Sequence, residues 1–284
     1  MSESGRWEVK DSALHARRAS SFGAEAAAYD EHRPDYPLAG VRWALEPLGD
    51  TDVRALDLAA GTGKLTGVLL AAGAHVTAVE PDAAMRAILQ GHYPDVTALP
   101  GTAESIPLPS NSVDAILVGQ ALHWFNLPQA FPEMARVLRP GGILAAFWNE
   151  PDMTVDWVAE LHRLTRSNAS FPPATQNGLP THPLFTPFDQ SAFPHTHRRT
   201  AATLTATIGT HSHTLVLPPE ARTTLLTRLS TYLHTNPATA TGEFDMPLRT
   251  TVIRAIVRDE SLVEGDVEGG RIGEGLAGEG QALG

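Results

Sequence analysis

A carboxylate at the end of an apolar run, followed at once by closely spaced glycines, points to chemistry that starts with the backbone. In Asp57-Leu58-Ala59-Ala60-Gly61-Thr62-Gly63-Lys64 the glycines let the chain turn tightly and approach a ligand, and the helix expected next offers free N–H groups. A second apolar run closes on Glu80-Pro81-Asp82. A carboxylate at such an edge accepts both hydroxyls of an adenosine ribose and repels a 2′-phosphate. A further run leads into Gly119-Gln120-Ala121-Leu122-His123-Trp124-Phe125. His123 is the best-placed general base, because an imidazole takes a proton near neutrality. Positioning an acceptor and a purely structural role are the other readings of it. Trp124 and Phe125 suit a pocket wall or core better than a cation cage.

The residues around the loop narrow the ligand. A phosphate-binding P-loop needs Ser or Thr after its lysine, and here Lys64 precedes Leu65. A dinucleotide fingerprint needs a third glycine where Thr66 stands. The only lysines are Lys10 and Lys64, and no tyrosine precedes either by four residues, so a Tyr-x-x-x-Lys hydride-transfer site is absent. An adenosine-containing ligand remains, with its attachment open. His195-x-His197 and His211-x-His213 lack a matching carboxylate or cysteine set, so no metal is expected.

These residues require elements to place them. From Val53 to Asn149 short apolar runs alternate with amphipathic stretches, the pattern of a parallel sheet covered by helices on both faces. Strands are expected at Val53–Leu58, His75–Glu80, Val96–Pro100, Val113–Val118 and Gly142–Trp148. Leu65, Val68, Leu69 and Ala72 share one helical face, as do Leu127, Phe131, Met134 and Leu138. Phe22 to Asp30 is alanine-rich and reads as a helix stopped by Pro34 and Pro37. Val155 to Arg166 and Pro218 to Thr235 read as helices, and Leu248 to Val257 as a last strand. Ser170 to Pro194 shows no clear period, and Thr203 to His213 fits either a strand or a short helix with a turn.

Composition limits the partners. The 284 residues carry a net charge of −11, of which residues 259–284 hold about half, and this acidic body lacks the basic footprint a nucleic acid requires. There is no cysteine, hence no thiol nucleophile or thiolate metal site. No window approaches the ~18 unbroken apolar residues of a membrane span, and Met1 to Ser21 lacks the apolar region of a secretory signal. A cytoplasmic protein acting on a small molecule is expected, with no membrane or nucleic-acid partner and an oligomeric state the residues do not reveal.

The loop Asp57 to Gly63, Val79-Glu80-Pro81-Asp82, Gly101-Thr102-Ala103-Glu104, Val113-Asp114-Ala115-Ile116 and Arg136-Val137-Leu138-Arg139-Pro140-Gly141-Gly142 resemble, in order and spacing, the successive motifs of class I S-adenosylmethionine-dependent methyltransferases. The resemblance is closest to the small-molecule group that includes trans-aconitate methyltransferase. It runs from about Phe22 to Arg258, densely only up to Asn149. It implies a Rossmann-like, doubly wound α/β fold: a mostly parallel seven-stranded sheet with an N-terminal helical lid and an insertion after the fifth strand. The corresponding parts are a lid (residues 1–37), a donor-binding core (38–150), a substrate-side insertion with the last part of the sheet (151–258), and a disordered acidic, glycine-rich tail (259–284).

By this resemblance the cofactor is S-adenosyl-L-methionine. Asp57, Ala59, Gly61 and Gly63 face its methionine part, Glu80 and Pro81 its ribose, and Met85, Ala103 and Glu104 its adenine, with Gln120 beside it. Met85 also reads as a core residue, and Glu104 as a cap of the following turn. Tyr29 and Arg33 resemble a lid approaching the donor carboxylate, which suits a guanidinium fork, although Arg33 also has Asp30 and Asp35 as surface ion-pair partners. Tyr36, His123, Trp124, His211 and Ser212 are the substrate-side candidates, the last two by resemblance to a serine-containing turn near the acceptor. The implied reaction is in-line methyl transfer to a small molecule, first to oxygen of a carboxylate or hydroxyl. Nitrogen, carbon, and donor binding without methylation are the alternatives.

Overall fold

Strand β1, Arg54–Leu58, runs through the middle of the sheet with only its first residue exposed. Leu56 and Leu58 point to one face, Ala55 and Asp57 to the other, so an apolar, doubly covered strand is what these residues can form. The computed structural model describes residues 26–49, 52–165 and 182–258. The expected tail, the first part of the lid helix and residues 170–181 of the aperiodic stretch lie outside the described residues. The strands are ordered β3-β2-β1-β4-β5-β7-β6, with β2 at His75–Val79, β3 at Thr97–Leu99, β4 at Val113–Gly119, β5 at Leu138–Pro151, β6 at Asp189–Arg199 and β7 at Phe244–Ile256. The pairs from β3 across to β5 are parallel, and β7 lies antiparallel between β5 and β6.

Helices cover both faces. One face packs Ala115, Leu117, Ala145 and Phe147 against α2 (Leu38–Leu45) and α3 (Lys64–Ala71). The other packs Leu56, Ile116, Val118 and Leu144 against α5 (Leu127–Val137), through Leu127, Phe131 and Met134. The helix after β1 thus lies on one face and the helix after β4 on the other. This places a crevice at the carboxyl ends of β1 and β4, where open α/β sheets take their ligands. Helix α4, Ala83–His92, follows β2.

The material after β5 forms a separate apolar cluster. Helix α6 (Asp156–Thr165), α7 (Ala201–Gly209) and α9 (Pro219–Thr235) bury Val158, Leu161, Leu204, Ile208, Leu225, Leu229 and Leu233 against Phe244, Met246 and Leu248 of β7. A short α8, Ser212–Leu215, joins α7 to α9. The ambiguous segment Thr203 to His213 is therefore helical. Its helix starts on a reciprocal cap, Thr203 N–H to Thr200 Oγ1 at 3.2 Å and Thr200 N–H to Thr203 Oγ1 at 2.9 Å. The seventh strand is instead β6, which begins inside the stretch read as aperiodic. Pro194 hides its alternation, and an edge strand tolerates that proline. Leu138, grouped with the helical stripe of α5, is the first residue of β5, which is longer than expected at both ends.

The N-terminal segment is pinned to both halves. Helix α1, Ala26–His32, places Asp30 against His92 Nε2 at 2.7 Å and Lys64 Nζ at 3.6 Å, and Asp35 lies 3.7 Å from the same Nζ. On the other side the His32 carbonyl accepts from Thr207 Oγ1 at 3.0 Å and from Arg199. His197 of β6 shares this junction with Arg199, Asp35, Lys64 and His195; burial first, and then the nearby cations, push its pKa down to about 4. A depressed histidine pKa means that the unfolded chain takes up protons first as pH falls. Stability from this site is therefore full above about pH 6.5 and is lost as pH drops toward 4. We expect thermal melts of His197→Gln to lose part of this acid slope; an identical slope in both proteins would contradict it.

Candidate functional site

The turn from β1 into α3 is built on left-handed backbone: Ala59 has φ 58°, Gly61 φ 58° and Gly63 φ 93°. Ala59 is the strained member, since such φ values are rare outside glycine. Gly63 is needed for space as well. A Cβ there would sit 2.9 Å from the ring of Tyr93, and one at Gly67, a helical turn later, would collide with the Tyr93 hydroxyl. Tyr93 caps α4 and wedges its ring beneath the loop, a role sequence reasoning missed. The signal for it was the pair Gly63 and Gly67 at i, i+4, one face of α3 left bare for a large neighbour.

Two carboxylates converge on this loop. Asp57, 1% exposed, accepts from Thr66 Oγ1 at 2.6 Å through Oδ2, whereas its buried Oδ1 has no hydrogen-bond partner. Thr66, the residue that spoils the dinucleotide fingerprint, is thus the support of Asp57. Glu80, also buried, accepts from Gly61 N–H and from Asp82 N–H, each at 2.8 Å. Asp82 in turn caps α4, accepting from the N–H groups of Ala84 and Met85 at 2.9 Å. Burial pushes Asp57 up to about 7, against the pull of Thr66 and with help from the Glu80 charge. Glu80 is raised by burial as well, opposed by its two backbone donors. Met85 is buried, its sulfur 3.8 Å from where a Gly61 Cβ would stand, so it is at once core and loop wall. Pro81 is exposed beside it. Ala103 is buried, and Glu104 Oε1 accepts from the Asn126 N–H at 2.8 Å, tying its segment to the start of α5 rather than to its own turn.

At the end of β4, Gln120 also has positive φ, 56°, and its side-chain amide donates to the Asn149 carbonyl at 2.9 Å. Tyr36 is buried edge-on against Phe147, with its hydroxyl 2.6 Å from where a Gly119 Cβ would lie; the bare Gly119 admits it. Burial raises the Tyr36 pKa well above its ordinary value, so the phenol stays neutral. His123 and Trp124 lie in the short turn Leu122–Trp124 with ring centroids 4.8 Å apart, both partly buried.

Arg33 does not form the ion pair with Asp30 or Asp35 that its surface reading required. Its guanidinium lies 4.9 Å over the Tyr29 ring, and it donates to Thr210 Oγ1 at 3.3 Å and the Thr210 carbonyl at 3.1 Å. His211 follows directly and is partly buried, while the side chain of Ser212 lies outside the described residues. The structure therefore groups Asp57, Ala59, Gly61, Gly63, Glu80 and Met85 at the loop. It joins Tyr36 to Gln120 through the ends of β4 and β5, and Tyr29 and Arg33 to the turn that holds His211. Glu104 is drawn away toward α5.

The raised Asp57 pKa carries a stability consequence of opposite sign to that of His197. Between about pH 4 and 7 the folded chain holds a proton that the unfolded chain has released, so stability falls as pH rises through 7. We expect Asp57→Asn to flatten denaturant-measured stability across that window; an unchanged slope would show that Asp57 is ionised throughout.

Comparison with known proteins agrees with this geometry. A methyltransferase-domain family model matches residues 56–146. An uncharacterized methyltransferase of Mycobacterium tuberculosis is 39% identical over 236 residues, covering 83% of this chain and 95% of the relative. A malonyl-[acyl-carrier protein] O-methyltransferase of Methylococcus capsulatus is 39% identical over 137 residues, 44% of this chain and 48% of the relative. A solved Anaeromyxobacter dehalogenans structure, described as a type II methyltransferase, superposes with a TM-score of 0.56 at 28% identity, covering 79% of this chain and 96% of that one. Because the Mycobacterium tuberculosis likeness covers 83% of this chain and 95% of the relative, and not the glycine loop alone, the chain belongs to the class I S-adenosylmethionine-dependent methyltransferases.

Proposed function

We propose that the loop Asp57 to Gly63 with Glu80 binds S-adenosyl-L-methionine, and that the chain directs its methyl group to an oxygen of a small-molecule acceptor. The observation that carries the donor site is the Asp57 Oδ1, buried beside the loop without a hydrogen-bond partner. A buried carboxylate oxygen in that state is costly unless a ligand donor meets it. The donor's ammonium is such a group, and the residues present fit it. Glu80, held at both oxygens by backbone N–H groups, is oriented for the ribose hydroxyls before any ligand arrives. Arg33, a partly buried cation without a carboxylate partner among the described residues, suits the donor's carboxylate, with Tyr29 stacked on it. Met85, Ala103 and Gln120 border the adenine side, and Pro81 shapes the end of the ribose edge.

When bound, the donor supplies an electrophilic methyl on a sulfonium, a good leaving group. The chain's part is placement and the exclusion of water. Residues 26–37 act as a lid, held at the crevice by the Asp30 and Arg33 contacts. The acceptor side is assembled from Tyr36 of the N-terminal segment, His123 and Trp124 of the turn Leu122–Trp124, and His211 and Ser212 beyond α7. Oxygen as the accepting atom is supported by the likeness to a malonyl-[acyl-carrier protein] O-methyltransferase, which covers 44% of this chain.

Calorimetry with the demethylated donor product tests the donor site. Glu80→Ala, which removes charge-assisted bonds, is expected to weaken binding by at least about tenfold. Gly61→Val, which forces a branched side chain into left-handed backbone, should have a comparable effect. Unchanged affinity in both variants would sink the assignment. His123→Ala is expected to lower turnover while leaving donor affinity within about twofold, because the turn Leu122–Trp124 acts on the acceptor; full turnover would remove His123 from the site.

A further inference from the structure

Glu150 stands one residue beyond the point where three elements meet at the end of β5. The Asn149 carbonyl takes the Gln120 amide at 2.9 Å, the Asn149 amide donates to the Asp35 carbonyl at 3.1 Å, and Thr250 Oγ1 donates to Asn149 Oδ1 at 2.5 Å. Glu150 is half-buried and forms no hydrogen bond or ion pair among the described residues. Its cross-strand neighbour in the β5–β7 register is Arg249, whose charge acts on Asp152 instead, and the two do not pair. Burial alone raises its pKa. A carboxylate that is desolvated and left without the partner beside it is a functional candidate, not a stabilising one.

A second group on the same face is buried more deeply and also lacks a partner. Trp148, two residues earlier and therefore on the same side of the strand, is 4% exposed, and its indole N–H is buried without an acceptor. Trp148 packs in the cluster that holds Ala121 and Leu122, with Trp124 against it, so this face of β5 borders the turn that carries His123. Side chains that leave one strand face at neighbouring positions can converge on a single group, so the indole N–H and the unpaired carboxylate together suit a group that both accepts and donates.

We propose that Trp148 and Glu150 form the acceptor subsite and that the group they take is a neutral hydroxyl, with Glu150 as its proton acceptor. A hydroxyl accepts from the indole N–H and donates to the carboxylate. An acceptor carboxylate would satisfy Trp148 but is repelled by Glu150. An ammonium would satisfy Glu150 but offers no lone pair to Trp148. A hydroxyl is also the acceptor that needs a base, since a carboxylate has no proton to lose near neutrality and an amine attacks as its free base. In the step, the acceptor oxygen bonds to the donor's methyl carbon as the methyl–sulfur bond breaks. The bond's electrons stay on sulfur, and the hydroxyl proton passes to Glu150. His123 is then left to position the acceptor.

This inference rests on the donor assignment above, so the test has two stages on the full-length chain. Wild type and Glu150→Gln are first titrated with S-adenosylhomocysteine. Equal binding is expected, and no binding by either overturns the donor assignment and this subsite together. The product-saturated proteins are then titrated with phenol, benzoate and benzylamine, three probes of one shape that differ in the group presented. Wild type is expected to bind phenol at least about tenfold more tightly than benzoate or benzylamine, and Glu150→Gln to lose that preference with benzoate gaining most. Methylation of phenol to anisole is expected to fall by about a hundredfold in Glu150→Gln and to lose its acid limb in the pH profile. Trp148→Phe should weaken phenol while sparing benzylamine. Retained preference in Glu150→Gln, tighter binding of benzoate or benzylamine by wild type, or phenol failing to bind a protein that holds the homocysteine product, overturns the subsite and leaves the donor site standing.

Discussion

A carboxylate buried in the central strand of a sheet is expensive, and Asp57 leaves half of that expense uncovered. Thr66 satisfies one oxygen; the other has no hydrogen bond in a site where water does not reach. The surrounding geometry follows from keeping this group in place. Thr66 must be on the first turn of α3, so the chain has to reverse from β1 into α3 within a few residues, and that reversal needs the left-handed positions at Ala59, Gly61 and Gly63. The reversed loop presents the Gly61 N–H to Glu80, whose other oxygen takes Asp82 N–H, the residue that starts α4. Tyr93, at the far end of α4, returns beneath the loop into the space that Gly63 and Gly67 leave. One helix thereby contributes to the site at both of its ends.

The N-terminal segment carries the same economy across to the insertion. Asp30 faces the core through Lys64 and His92, while His32 and Arg33 face α7. Arg222 of α9 donates to the Gly209 carbonyl at 3.3 Å, and Arg33 to the next carbonyl, so two guanidinium groups meet the carboxyl end of α7, where a helix dipole favours cations. Without Arg33, that helix end would lose part of its compensation along with its link to the core. The residue proposed to meet a ligand carboxylate is thus held in place by a structural bond.

The legible part of the molecule is the part where one residue type has one physical use. Parallel strands buried on both faces announce themselves as apolar runs, and glycines before a helix announce a turn, so β1 to β5 and the loop at Asp57 were readable with small errors at their ends. Residue types with several uses were not. Pro194 and alternating histidines concealed β6, because an edge strand needs neither apolar residues on both faces nor every N–H. The threonines from Thr200 to Thr210 suit strands by their branching, but here they cap α7 and return their hydroxyls to its own carbonyls. Among the candidate site residues, Glu80 was visible because the role proposed for it follows from its position at the end of a strand. Tyr93 and Glu150 were not, because a ring wedge and an unpaired carboxylate are defined by neighbours far away in sequence.

The proposed donor and acceptor halves of the crevice differ in how they handle polar groups. On the donor side the main chain sets the charges: Glu80 is bonded by two backbone N–H groups, and the loop is fixed by its own φ values. Such a site is insensitive to which side chains surround it, as a site for one ligand shared by a whole family should be. On the acceptor side Trp148 and Glu150 project from a strand that other elements merely steady, through Asn149, Gln120 and Thr250. Changing either side chain leaves that steadying network intact. Acceptor choice can therefore vary by substitution on β5 without disturbing the loop at Asp57, which accounts physically for a fold that keeps its donor and changes its substrates.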